Sequence, residues 1–324
     1  MDADRIALPD VTVVVPCFNE EAVLPAFDAR LRATMSAMPC TWTVLYVNDA
    51  SRDGTYGVML GLRAAHSNVS IVNLSRNFGK EAAMTAGMDH ARGDGVVVID
   101  ADLQDPPEVI PQLFAVWQAG ADVAYAQRRM RAGETWLKRA TAGGFYRLMT
   151  RMGRVSLPVD TGDFRLMSRR AVDALLRLRE QHRFMKGLFA WVGFRQEPVL
   201  YDRAPRFAGE TKWNYWQLWN LAIEGITSFT TLPLKLATYA GLVLAVISGF
   251  YGVFIILDTL IHGRQAPGYA SLMAVVLFLG GTQLMTLGLL GEYLGRVFNE
   301  VKQRPLYFVE TYMPTRLSSE THSQ

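Results

Sequence analysis

Short apolar runs alternate with longer amphipathic ones over the first part of the chain. Thr12–Pro16 (TVVVP), Trp42–Val47 (WTVLYV), Val69–Leu74 (VSIVNL) and Val96–Ile99 (VVVI) are rich in β-branched residues and bounded by Gly, Pro, Asn or Asp. Such runs predict strands buried on both faces, as in a parallel sheet. Between them lie helical stretches from Glu20 to about Ala37, up to about His66, and over Lys80–Ala91 (KEAAMTAGMDHA). Strands alternating with helices of about 10–15 residues predict βαβ units. Pro107 opens a further helix to about Ala119, Ala121–Ala126 and Phe164–Met167 read as strands, and a helix follows from about Arg169. Glu134–Met152 reads as helix interrupted at Gly143 and Gly144, and Arg203–Lys212 (RAPRFAGETK) reads as a loop.

The pattern then changes. Leu236–Ile261 carries no charge before Asp258, and Tyr269–Gly291 carries none at all. Each run exceeds the roughly 20 residues that cross a bilayer core as a helix; two long helices buried in a soluble core are the alternative. The seven residues His262–Gly268 (HGRQAPG) leave room only for a hairpin turn. Ahead of the spans, Trp213, Tyr215, Trp216 and Trp219 predict a helix at the membrane interface, against a packed core helix. Arg296, Lys302 and Arg304 follow the second span whereas the connector has only Arg264, which predicts both termini in the cytoplasm. Met1–Asp10 carries Asp2, Asp4 and Arg5 without an apolar stretch, so no signal peptide is expected. Gly280, Gly281, Thr282 and Gln283 suggest a helix–helix contact face. The expected organisation is a cytosolic domain over 1–212, an interfacial helix over 213–232, a transmembrane hairpin over 233–295 (spans about 236–261 and 269–292) and a cytosolic tail over 296–324.

Composition adds two constraints. Of 324 residues 50% are apolar and only 19% charged, in keeping with membrane spans. Net charge is +3, but between Arg128 and Arg154 eight basic residues face Glu134 alone. Such a patch attracts anions. No aromatic interleaving accompanies it, so no nucleic acid is expected and lipid phosphate is the better partner. The two cysteines, Cys17 and Cys40, fit a reducing compartment, and the five histidines have no zinc spacing.

The chemistry concentrates in GDGVVVIDADLQDPPE, Gly93–Glu108. Ligands of open α/β sheets sit beyond the carboxyl ends of the strands, which is where Asp100 and Asp102 fall. Two carboxylates there suit Mg²⁺ or Mn²⁺ shared with substrate phosphates; the plain alternative is a strand-end turn in which Asp satisfies the backbone. The first strand leads into Cys17-Phe18-Asn19-Glu20 rather than G-x-G-x-x-G, and Gly79-Lys80-Glu81 is no P-loop.

VVVPCFNEE, VNDASRDGT, RNFGKEAA, DADLQDPPE, TGDFRLMSRRAVDAL and RFMKGLFAWVGF, in this order, make the chain resemble glycosyltransferase family 2. More narrowly it resembles the polyprenyl-phosphate group, the dolichyl-phosphate mannose synthases and bactoprenol glucosyltransferases, over roughly Val11–Lys235, with a C-terminal hairpin like that of the bactoprenol branch. The resemblance implies a GT-A type α/β domain, its mostly parallel sheet flanked by helices. It implies transfer of one sugar from a UDP-sugar (UDP-glucose above all) or a GDP-sugar to undecaprenyl or another polyprenyl phosphate, with inversion, at the bacterial cytoplasmic membrane. By the same resemblance Pro16, Asn19 and Glu20 form the first nucleotide loop, Asp49 meets the base, and Asp100, Asp102 and Gln104 hold the metal, Mg²⁺ or Mn²⁺, with Asp100 also at the diphosphate. Asp163 lies beside the attacking phosphate as the catalytic residue. Arg128 and Arg139 hold the acceptor phosphate, with Arg206 and Lys212 in a loop over it. Lys80 could reach the diphosphate, or simply open its helix. Asn48-Asp49-Ala50 departs from the Asp-Asp-Gly of many members, which bears on base selectivity. Bacterial members often form tetramers, which the small residues of the spans permit. Two other readings stay open: a processive polysaccharide synthase, although Gln181-His182-Arg183-Phe184 does not match its Q-x-x-R-W motif, and a silent nucleotide-binding anchor, although the acidic residues are intact.

Overall fold

The computed structural model describes residues 8–129, 161–181, 183–202, 232–262 and 268–316. It divides the chain into two compact units, Met1–Trp213 joined by Pro305–Gln324, and Asn214–Arg304.

In the first unit the four apolar runs form β1 (Asp10–Cys17), β2 (Thr41–Asn48), β3 (Val69–Leu74) and β4 (Gly95–Val98). β1 pairs in parallel with β2 on one side and β4 on the other, and β2 with β3. β5 (Val123–Arg128), β6 (Thr161–Ser168), β7 (Gln196–Tyr201) and β8 (Val309–Met313) complete one eight-stranded sheet in the order β7-β5-β6-β4-β1-β2-β3-β8. β6 runs antiparallel to β4 and β5, and β8 antiparallel to β3, while β5 and β7 are parallel. The sheet is therefore mostly parallel. Val11, Val13, Val14, Val15, Val96, Val97 and Val98 are fully buried, as an unbroken β-branched run demands of a strand covered on both faces.

Helices α1 (Leu24–Ser36), α2 (Thr55–Ala65), α3 (Lys80–His90), α4 (Ile110–Gln118), α5 (Arg169–Leu176) and α6 (Met185–Trp191) flank the sheet. Pro107–Val109 is a single 3₁₀ turn ahead of α4. α1 begins at Leu24 rather than Glu20, because Pro25 sits in its first turn and Asn19 turns the chain left-handed at φ 57° just before. α5 is capped by Ser168, whose side chain accepts from the Ala171 amide. α3 packs so closely on β1 that a Cβ added to Gly87 would lie 2.2 Å from Val14 Cγ1.

Two strands escape the hydrophobic pattern. β7 (QEPVLY) contains Glu and Pro, and β8 lies in the stretch expected to be a cytosolic tail with no predicted strand. β8 instead closes the sheet edge, with Ile71 opposite Met313 and Val72 opposite Tyr312. Tyr307, just ahead of it, donates to Asp89 Oδ2 at 2.6 Å.

The second unit holds α7 (Leu232–His262) and α8 (Tyr269–Val301). Their stretches Ala237–His262 and Ser271–Val301 are long and apolar enough to cross a membrane. Phe250, Leu260 and Met285 are at least 75% exposed, which a helix pair inside a soluble core would not show. α8 runs past the expected end near residue 292, carried on by the Glu292–Arg296 pair one turn apart at 3.1 Å. The predicted interfacial helix and the basic stretch beyond Arg129 lie outside the described residues.

Candidate active site

β1 is the point at which strand order reverses, since β2 and β3 lie to one side and β4 to the other. Chain leaving the carboxyl ends of β1 and β4 there diverges and leaves a crevice. A cleft of about 520 Å³ opens at this place, lined by Pro16, Glu20, Asp49, Lys80, Asp100 and Asp102, and also by Asn77 and Gly79. Six of the residues singled out from sequence thus share one cavity.

Backbone amides hold the walls. Asp49 Oδ1 accepts from the Phe78 amide at 2.7 Å and its Oδ2 from the Gly79 amide at 2.9 Å. These bonds tie the end of β2 to the turn before α3, where Gly79 supplies φ 94°. Burial nevertheless pushes the Asp49 carboxyl up, against the pull of those amides and of Arg76. Asn19 acts as a loop tie: its Oδ1 accepts from the Arg52 amide at 2.8 Å and its own amide donates to Ser51 Oγ at 3.0 Å. Asn48 donates to Asn73 Oδ1 at 2.7 Å and accepts from the Ser51 amide at 3.1 Å. A carboxylate at 48 could not donate to Asn73, which gives the departure from Asp-Asp-Gly a structural role. Beyond β4, Asp102 Oδ1 accepts from the Gln104 amide at 3.0 Å across Leu103, itself left-handed at φ 58°. Gln104 is 9% exposed and does not line the cleft.

The catalytic expectation fell on Asp163, in β6, next to β4 in the sheet. Lys80 Nζ, on the first residue of α3, lies 2.7 Å from Asp100 Oδ2 and 2.6 Å from Asp163 Oδ2. Burial opposes the charge of Asp163, but the Lys80 ammonium outweighs it and holds the carboxyl below its ordinary range. For Asp100 burial prevails over Lys80 and the carboxyl is pushed up. Lys80 itself is pushed up by its two partners, which outweigh the partial loss of solvent around its ammonium. Asp163 Oδ1 is buried and has no hydrogen-bond partner among the described residues.

Three supporting residues were not singled out from sequence for this site. Arg165, 4% exposed, donates through Nη2 to the Gly162 carbonyl at 2.8 Å and through Nε to the Asp163 carbonyl at 3.2 Å. Its guanidinium lies 3.5 Å from the Phe189 ring centroid, and burial pushes it down to about 10, so it remains charged at neutral pH. Glu81, read from sequence as a first-turn helix residue, is half-buried with its Oε2 shielded from solvent, and loss of solvent together with the Asp163 charge pushes it up to about 8. Tyr201 donates to Asp105 and accepts from Arg128 Nε at 3.2 Å. Arg128 is thereby brought beside Gly162, where an added Cβ would stand 3.2 Å from its Nη2. Arg139, Arg206 and Lys212 lie outside the described residues. Nothing local marks Arg165 or Glu81, because a charged side chain reads as surface until its neighbours are known.

Asp100 and Asp102 fit a hard divalent cation in chemistry, and Asp100 already accepts a cation, the Lys80 ammonium. Among the described residues no three His, Cys, Asp or Glu side chains form a complete ligand set, so such an ion would take further oxygens from its substrate.

Residues 12–176 match the sequence profile described as Glycosyl transferase family 2. The chain belongs to this family. Within the family-2 chain, residues 232–297 also match the profile described as GtrB C-terminal hairpin. An uncharacterised glycosyltransferase of Synechocystis sp. is 53% identical over 300 residues, covering 93% of this chain and 94% of that protein. A bactoprenol glucosyl transferase of Shigella phage SfII is 47% identical over 300 residues, covering 93% of this chain and 97% of that protein. The solved structure of glucosyl-3-phosphoglycerate synthase from Mycobacterium tuberculosis aligns at 16% identity and TM-score 0.47, over 68% of this chain and 76% of that one. As a family-2 member the protein is a glycosyltransferase.

Proposed function

We propose that this protein transfers one sugar from a nucleoside diphosphate sugar, UDP-glucose in the first instance, to the phosphate of undecaprenyl or a related polyprenyl phosphate. The observation that carries the reading is the convergence of Asp100 and Asp163 on one ammonium at the sheet's switch point. In this reading it links Asp100, on the donor side and lining the cleft, to Asp163, on the acceptor side. The near full-length match to a bactoprenol glucosyl transferase supports the lipid acceptor, and the two apolar helices suit a substrate that resides in a membrane.

In this reading an acceptor phosphate oxygen forms a bond to the anomeric carbon as the bond from that carbon to the nucleoside diphosphate breaks. A single displacement of this kind inverts the centre. A phosphate monoester has a second pKa of about 6, so at neutral pH the nucleophile is largely dianionic and needs placement more than deprotonation. Asp163, held below the ordinary carboxylate range, is correspondingly a weak base. Its role is to orient the acceptor, with Arg128 offsetting the crowded negative charge. Pro16, Asn19, Glu20 and Asp49 shape the nucleoside end of the cleft, and Lys80 stands where the diphosphate would lie. A divalent ion held by Asp100 and Asp102, with Gln104 behind them, would neutralise the leaving diphosphate as a Lewis acid. Arg139, Arg206 and Lys212 complete the acceptor side. The chain is then a cytosolic catalytic domain ahead of an interfacial helix and a two-span hairpin, with both termini in the cytoplasm.

The test is direct. Membranes holding the protein, given radiolabelled UDP- and GDP-sugars, undecaprenyl phosphate and Mg²⁺ or Mn²⁺, should move label into the organic phase, with UDP-glucose the best donor. Asp102→Ala should lower that transfer by about a hundredfold or more. Label in a long water-soluble polymer, or nucleotide binding with no transfer from any donor, would sink the reading.

A further inference from the structure

Lys80 puts a cation against Asp100, one of the carboxylates that the proposed divalent ion would use. Its Nζ lies 2.7 Å from Asp100 Oδ2 and 2.6 Å from Asp163 Oδ2, so one ammonium pairs with both carboxylates and offsets one of their two negative charges. The side chain is 44% exposed although its head group is paired twice. It begins α3 directly after Gly79, and its four-carbon stem leaves that head free to exchange partners by rotation.

We propose that Lys80 is a resident counter-ion that makes divalent-cation binding depend on the donor nucleotide. The proposal rests on the reading of this cleft as the donor and metal site. A divalent ion approaching Asp100 alone must either share the carboxylate with a positive charge or displace it, and at such separations in a partly buried site like charges repel strongly. When Lys80 leaves, Arg165 and Lys186 still favour the Asp163 charge through space, but the side-chain hydrogen bonds of Arg165 go to the Gly162 and Asp163 carbonyls rather than to the carboxylate. Glu81, on the same helix, adds negative potential only when ionised. A nucleoside diphosphate changes the balance, because its oxygens offer the ammonium a new partner and the metal new ligands at once. Metal and nucleotide then bind with positive coupling, and coupling between two ligands is reciprocal. Lys80 thereby keeps the empty site from filling with metal alone, and it holds Asp100 and Asp163 together against their mutual repulsion.

The experiment is a Mn²⁺ titration of the full-length protein in detergent, with free Mn²⁺ read by electron paramagnetic resonance, with and without UDP. In the unaltered protein UDP should tighten Mn²⁺ binding by about tenfold or more. Lys80→Gln should bind Mn²⁺ about tenfold more tightly than the unaltered protein when UDP is absent, with a correspondingly smaller UDP effect. Lys80→Arg, which keeps the charge, should retain most of the coupling. Unchanged or weaker Mn²⁺ binding by folded Lys80→Gln without UDP would overturn the proposal, as would an unaltered protein whose Mn²⁺ affinity ignores UDP. Failure of the unaltered protein to bind Mn²⁺ even with UDP would instead overturn the metal-site reading on which the proposal stands.

Discussion

At the residue scale the site is held in place by charges placed below it. Arg165 spends a fully buried guanidinium on two backbone carbonyls, one of them that of Asp163. Burying a guanidinium without a bonded carboxylate is costly, so its retention argues for a positioning role. Arg165→Met should lower kcat with little change in KM for the sugar donor, and Arg165→Lys should restore part of it; equal losses in the two variants, or a loss confined to KM, would argue against positioning. Glu81 makes a prediction of opposite character. Its folded-state value of about 8 stands above the ordinary carboxylate value of about 4.3. A raised carboxyl contributes stability that is fully present below the ordinary value and is lost as pH rises through the folded one. Thermal melts of the protein should therefore decline from about pH 5 to pH 8, and Glu81→Gln should flatten that decline. Identical slopes would exclude the assignment.

At the element scale, contact between α3 and β1 sets where Lys80 and Glu81 stand. Gly87 allows it, since a Cβ there would press on Val14 Cγ1 at 2.2 Å and Val47 Cγ2 at 3.1 Å. Gly87→Ala should cost about 1–3 kcal/mol through overpacking, read as a lowered melting temperature with activity falling in step. A gain in stability, as expected of Ala in an unconstrained helix, would mean that the two elements pack less closely. β8 matters in a different way. It covers the edge of β3, which would otherwise offer unpaired backbone groups to other chains. Asn73 donates to Glu310 Oε2 at 2.7 Å and accepts from Asn48, so the tail also steadies the loop that follows β2.

At the scale of the whole molecule the two units divide the work, one carrying the cleft and the other the apolar helices. The proposed topology places the connector after His262 on the far side of the membrane from the catalytic domain. Trypsin added to sealed, inside-in vesicles should cut after Arg264 and leave the catalytic domain intact. Inverted vesicles should show the converse. Cleavage of both regions from one side would refute the hairpin.

Local pattern was enough for much of this protein. The β-branched runs of β1 to β4, the acid pair at the end of β4 and the two long, charge-poor apolar runs are features of neighbouring residues, and burial of the strands on both faces and helices long enough to cross a bilayer follow from composition alone. Which side chains meet was a different matter. Asp100 and Asp163 share Lys80, Arg165 turns inward beneath Asp163, and a strand beyond the second span returns to the edge of the sheet. Hydrophobic periodicity records whether a position is buried, whereas the pairing of buried charges and of edge strands depends on distances that only the folded sheet creates.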